Sequence, residues 1–122
     1  MRPIWMKLKG LNSFLETQEV DFEQLTSQGL FGIFGPTGSG KSSILDGISL
    51  ALYGTTARNS TNFINVNTDK ASVEYLFSVK TKRERRYLVS RSFKRSKEGV
   101  SAVTEQNWWS WKLQGRRFWQ TV

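Results

Sequence analysis

The sequence predicts an α/β fold (α+β in layout), with one strand–loop–helix unit followed by an antiparallel β-meander. Three observations predict it. Residues 30–34, Leu-Phe-Gly-Ile-Phe, form a short apolar run of the kind a buried strand shows. Residues 35–42, Gly-Pro-Thr-Gly-Ser-Gly-Lys-Ser, follow at once and match the pattern G-x-x-x-x-G-K-[ST]. Residues 71–105 then alternate apolar and polar side chains in segments separated by charged or glycine-bearing turns.

Each element follows from local pattern. Residues 3–9 set Ile4, Met6 and Leu8 against Trp5, Lys7 and Lys9, a strand. Gly10 to Ser13 is a turn, and residues 14–22 give a second strand ending in Val20-Asp21-Phe22. Beyond the glycine-rich stretch, residues 42–53 read as a helix: Ile44, Leu45, Ile48 and Leu52 share one face, with Ala51 beside it, and Tyr53-Gly54 is a stop. Gly47 inside that helix costs about 1 kcal/mol relative to Ala and points to close packing against a neighbour. Residues 55–70, rich in Thr and Asn, read as loop. Residues 71–79 place Val73, Tyr75, Phe77 and Val79 on one face; a charged turn at 80–85 leads to a returning strand at 86–95. Lys97-Glu98-Gly99 turns again, and Ser101 to Glu105 begins a further strand. There is no internal repeat.

The glycine-rich stretch has a chemical logic. A triphosphate is a dense anion that needs many donors at close range. Gly35, Gly38 and Gly40 let the backbone curl so that successive N–H groups share one hollow, with Pro36, Thr37 and Ser39 between them. Lys41 reaches the β- and γ-phosphates, the Ser42 hydroxyl suits Mg²⁺, and the helix beginning near Ser43 aims its positive end at the same anion. The pattern does not distinguish ATP from GTP, and no Asn-Lys-x-Asp guanine motif is present.

Composition narrows the classes further. The 122 residues suffice for one modest domain. With no Cys and no His, disulfide scaffolds, Cys-based metal sites and His-based catalysis are excluded. No apolar run approaches the ~20 residues a membrane span needs. The N-terminus has no signal-peptide pattern, so a cytoplasmic setting is expected. The formal charge of +8 is local: between residues 80 and 97, nine cations (Lys80, Lys82, Arg83, Arg85, Arg86, Arg91, Lys94, Arg95, Lys97) face the single acid Glu84, and the remainder balances. Such a patch fits a polyanion such as DNA, with Lys80, Lys82, Arg83, Arg85 and Arg86 as candidate contacts. It equally fits a solvated hairpin whose charges protect an edge strand.

Residues 29–54, from Gly29-Leu30-Phe31 through Ile44-Leu45-Asp46 to Ala51-Leu52-Tyr53-Gly54, resemble the bacterial SbcC family, the large ATPase subunits of SbcCD exonucleases, related to SMC proteins. Met1-Arg2-Pro3-Ile4, Leu8-Lys9-Gly10-Leu11-Asn12-Ser13, Val20-Asp21-Phe22 and Arg58 fit the same pattern, which runs from residue 1 to about 105. The resemblance implies the N-terminal lobe of an ABC-type P-loop ATPase head, spanning residues 1–105, with ATP and Mg²⁺ as ligands. It implies that Asn12, Ser13, Arg58 and part of the 62–65 loop approach the base or γ-phosphate. It further implies an SbcD-type nuclease, DNA and a second SbcC head in a homodimer as partners.

The departures from that family matter. No apolar strand here ends in an Asp-Glu pair, and there is no Leu-Ser-Gly-Gly signature, Gln-bearing loop, heptad stretch or Cys-x-x-Cys hook. Phosphoryl transfer depends on positioning and electrostatics, and half the groups are missing. This chain alone is expected to bind nucleotide but to hydrolyse it poorly or not at all. The alternatives are a truncated non-catalytic fragment and a stand-alone P-loop NTPase or kinase; the latter needs a lid Arg or guanine motif.

Residues 106–122 do not resemble the family. Four of the five Trp lie there and no acid does. Trp has one codon, TGG, so Asn107 to Lys112 can be written AAY TGG TGG AGY TGG AAR. Started at the third base, this reads Leu-Val-Glu-Leu-Glu, and continuing to Gln120 permits Val-Ala-Gly-Glu-Lys-Val-Leu-Ala. A reading-frame shift near residue 105, truncating the gene product, is the expectation. An authentic Trp-rich strand or base-stacking segment is the alternative.

Overall fold

The computed structural model describes residues 1–25, 41–56, 61–98, 101–111 and 119–121. Among them, six strands form one antiparallel sheet in the order β2-β1-β3-β4-β5-β6. The strands are β1 (Arg2–Lys9), β2 (Gln18–Asp21), β3 (Lys70–Lys80), β4 (Glu84–Arg95), β5 (Ser101–Trp111) and β6 (Trp119–Thr121). Two helices, α1 (Phe22–Leu25) and α2 (Lys41–Tyr53), lie between β2 and β3 in sequence.

Alternation decides the two faces. Met6, Leu8, Val73, Tyr75, Phe77, Val89 and Phe93 are buried on the face that packs α2, together with Leu50 and Ala51 of that helix. Trp5, Leu76, Leu88 and Trp109 are register partners across four strands on the opposite, half-exposed face. The first strand, the α2 helix and the β3–β4 hairpin match the sequence expectation closely.

Two elements differ in extent. The second strand is confined to Gln18–Asp21, because the chain first closes a tight turn in which Phe14 N–H donates to the Leu11 carbonyl (2.9 Å). It stops at Asp21, whose Oδ1 accepts from Glu23 N–H (3.0 Å) and so caps α1. At the other end, β5 does not break at residue 105 but pairs with β4 as far as Trp111 opposite Arg86.

The helix is rotated from its expected orientation. Its buried stripe is Ser43, Asp46, Gly47, Leu50 and Ala51, whereas Ile44, Ile48 and Leu52 are half-buried and Leu45 is 54% exposed. Gly47 explains this, because it lets the helix settle onto Met6 and Leu8 where a larger side chain would hold it off.

Candidate functional site

The glycine-rich residues Gly35, Pro36, Thr37, Gly38, Ser39 and Gly40 lie outside the described residues, as does Arg58. Lys41 and Ser42 are the first two residues of α2. The first N–H groups of a helix have no intrahelical partner, and the positive end of the dipole lies at that first turn. Residues outside the motif hold this turn in place.

Asn12 is the principal one. Its backbone is left-handed (φ 50°), a conformation Asn tolerates better than most residues. Its Nδ2 donates to Ser43 Oγ (3.1 Å) and to Asp46 Oδ2 (3.0 Å), one turn apart on α2. Its own N–H donates to the Phe63 carbonyl (2.7 Å), and its carbonyl accepts from Asn65 Nδ2 (2.8 Å). Asn65 N–H donates to the Gly10 carbonyl (2.8 Å), and Asn65 Oδ1 accepts from Asn67 N–H (2.9 Å). The turn after β1, the 61–69 loop and the start of α2 are thus one hydrogen-bonded unit. Ser43, Asp46 and Asn65 are all buried within it, while Ser13 is exposed. Buried polar groups are costly unless paired, so this network defines a single arrangement.

The far end of α2 is held as firmly. Arg91, 8% exposed, donates from Nε to the Ala51 carbonyl (2.8 Å) and from Nη2 to the Leu52 carbonyl (3.2 Å). A cation here complements the negative helix end and pairs carbonyls that no later turn can reach. Burial pushes the Arg91 pKa below the usual arginine value by desolvation. Gly54, with φ 77°, closes the helix through its N–H to the Leu50 carbonyl (2.9 Å).

The basic segment therefore divides. Arg91 and Arg95 are internal braces: Arg95 donates from Nη2 to the Ile64 and Asn65 carbonyls (2.9 and 3.1 Å) and from Nη1 to the Thr68 carbonyl (3.0 Å) and Asp69 Oδ1 (3.4 Å). Arg86 lies 3.8 Å from Glu23 and is half-buried. Lys80, Lys82, Arg83 and Arg85 are exposed at the β3–β4 turn. The charge pattern alone groups all nine cations in one patch. The signal separating Arg91 was available: it occupies an inward position between Val89 and Phe93 in the alternation of β4. Asn65 and Asp46 have no such periodic signal, one lying in a polar loop and the other inside a helix; the family resemblance alone points to them, through the 62–65 loop and Ile44-Leu45-Asp46. Among the described residues no group of three or more acidic side chains is placed to hold a metal ion, and no helix is long and apolar enough to cross a membrane.

Comparison with known proteins adds lineage to this geometry. The chain is 56% identical over 95 residues to the SbcC subunit of nuclease SbcCD from Clostridium acetobutylicum, an alignment covering 78% of this chain and 8% of that protein. It is 50% identical over 101 residues to the Bacillus subtilis SbcC protein (80% and 9% covered) and 34% identical over 110 residues to that of Staphylococcus haemolyticus (85% and 10%). The chain thus spans about a tenth of the length of these curated relatives. The family model described as the AAA domain matches residues 6–119, nearly the whole sequence. By that match the chain belongs to the AAA domain family.

Proposed function

We propose that this chain is the nucleotide-binding N-terminal lobe of an SbcC-type ATPase, acting in the cytoplasm with an SbcD-type nuclease, DNA and a second head. Residues 35–43 bind ATP and Ser42 holds Mg²⁺. The observation that carries this is the placement of Lys41 and Ser42 at the opening of α2, a helix whose first turn is tied to β1 through Asn12. A triphosphate supplies the charge that the unpaired N–H groups of such a turn attract. Ser13 and Arg58 are the further proposed contacts on the base or γ-phosphate side. The sequence offers no apolar strand ending in an Asp-Glu pair to activate water, so turnover requires a second lobe carrying acids. The similarity to three SbcC proteins supports the lineage.

The test is Mg·ATP binding and turnover by the purified chain, with Lys41→Ala as control. Binding lost in Lys41→Ala, with no turnover in either, is expected. A demonstrably folded chain that does not bind nucleotide refutes the binding reading. Turnover that Lys41→Ala abolishes refutes the need for a second lobe.

DNA binding is assigned to the exposed cations Lys80, Lys82, Arg83 and Arg85, with Arg86 a weaker contributor because it is already near Glu23. Affinity for duplex DNA should fall steeply with salt, and Lys82→Ala/Arg83→Ala should flatten that dependence. An unchanged salt slope excludes the hairpin turn as the contact.

Residues 106–122 are proposed to be read out of frame relative to residues 1–105. The codon argument supports this, while the family match reaching residue 119 and the pairing of β5 to Trp111 weigh for an authentic strand. The coding DNA decides: stop codons shortly after the shift, or a downstream reading unlike the family, refute the proposal.

A further inference from the structure

Strand β4 presents Arg91, Phe93 and Arg95 on the face that packs α2. Arg91 reaches the carbonyls of Ala51 and Leu52 in the last turn of the helix. Arg95 gathers four acceptors from residues 64–69, and its own N–H donates to the Asp69 carbonyl (2.8 Å). That loop carries Asn65, which holds the carbonyl of Asn12, and Asn12 in turn holds Ser43 and Asp46 in the first turn of the helix. One strand thus holds the last turn of the helix directly and its first turn through the 64–69 loop and Asn12. Four residues of strand span about 13 Å. The nine steps from Ser43 to Leu52 rise about 13.5 Å along the helix. The two spans are alike in length, and Arg95 acts on the start of the helix through the 64–69 loop and Asn12 rather than by touching it.

We infer that Arg91 and Arg95 are positioning residues for the nucleotide site, clamping α2 along its axis from a strand that does not itself touch the phosphates. The inference rests on the nucleotide reading of residues 35–43. Its physical basis is that N–H groups at a helix terminus bind an anion only when the helix is held in register with the preceding loop. A clamp at both ends removes axial slip. The guanidinium of Arg95 suits this because its fixed fork serves several carbonyls at once, which a single ammonium does not.

The experiment measures Mg·ATP affinity for the full chain, for Arg95→Gln, Arg91→Gln, Asn12→Ala and the Arg95→Gln/Asn12→Ala double variant. Each is read at a temperature where circular dichroism shows it fully folded. Arg95→Gln should weaken binding about tenfold. The double variant should lose little beyond the larger single loss, because both act through the same path. Folded Arg95→Gln binding within twofold of the parent overturns the inference, as does a double loss equal to the product of the singles. Should Arg95→Gln not fold, Arg95→Lys takes its place under the same criteria. A folded parent that binds no nucleotide overturns the nucleotide reading and this inference together, whereas a binding parent with unaffected variants overturns this inference alone.

Discussion

Gly47 of α2 sits directly on Met6 of β1: a Cβ at Gly47 would stand 3.1 Å from the Met6 sulfur and 3.3 Å from its methyl. Met6 is fully buried, and Leu8 Cδ2 lies 3.5 Å from the same point. Gly47→Ala gains about 1 kcal/mol of helix propensity but overpacks this contact, at a cost of about 1–3 kcal/mol. A net loss of about 1 kcal/mol is expected in urea denaturation. The compensating variant Gly47→Ala/Met6→Val should recover more stability than the two single changes predict. A stabilised Gly47→Ala protein would show that the helix can lift off the sheet at no cost.

Gly10 and Gly54 are left-handed, with φ 70° and 77°, but their surroundings differ. A Cβ at Gly10 would collide with the backbone carbonyl of Lys70, which cannot turn away. At Gly54 it would stand 2.5 Å from Arg91 Nη1, a side-chain atom, though one whose neighbours Nε and Nη2 are bonded. Left-handed strain alone costs about 1–2 kcal/mol. Gly10→Ala should therefore lose more than about 2 kcal/mol and Gly54→Ala about 1–2 kcal/mol. Equal losses at the two sites would mean that Arg91 is as immobile as backbone.

Phe63 tests a part of the core that composition concealed. It is 4% exposed and packs edge-on against Phe93, with ring centroids 5.0 Å apart at 85°. Its carbonyl also accepts from Asn12 N–H. Phe63→Ala should cost about 3 kcal/mol by cavity formation. It should also weaken nucleotide binding at temperatures where the chain remains folded, because it loosens the strand-to-helix brace. A stability loss below about 1 kcal/mol would mean that the 61–69 loop collapses freely.

The strands were legible because their period of two is local and each inward set is apolar, as in Val73, Tyr75 and Phe77. The helix was legible in extent but not in rotation. Its apolar residues Ile44, Leu45 and Leu52 outweigh Ser43, Asp46 and Gly47 on any hydrophobicity count, yet the latter three are buried, Gly47 against the sheet and Ser43 and Asp46 against Asn12. Close approach and a paired polar network decided the orientation; Gly47 signalled the first, while the second has no local signature. Phe63 and Ile64 were hidden by the Thr and Asn around them. Arg91 and Arg95 were absorbed into a charge run, although side-chain direction along β4 distinguishes them from Lys82 and Arg83.

Tyr75 gives a pH prediction. It is fully buried, and desolvation raises its pKa from 10.0 to about 12. The folded chain therefore holds the phenolic proton to higher pH than the unfolded chain, and unfolding releases it. The resulting stabilisation is complete below about pH 10 and is lost as pH rises through 12. Two pKa units correspond to about 2–3 kcal/mol. Tyr75→Phe removes the titration and, among the described residues, forfeits only a weak contact from the hydroxyl to Met1 Sδ at 4.0 Å. Its stability at pH 7 should lie within about 1 kcal/mol of the parent. Between pH 10 and 12 the variant should lose less stability than the parent, so the two denaturation midpoints converge or cross. Parallel midpoints across that window would place the Tyr75 hydroxyl in contact with water.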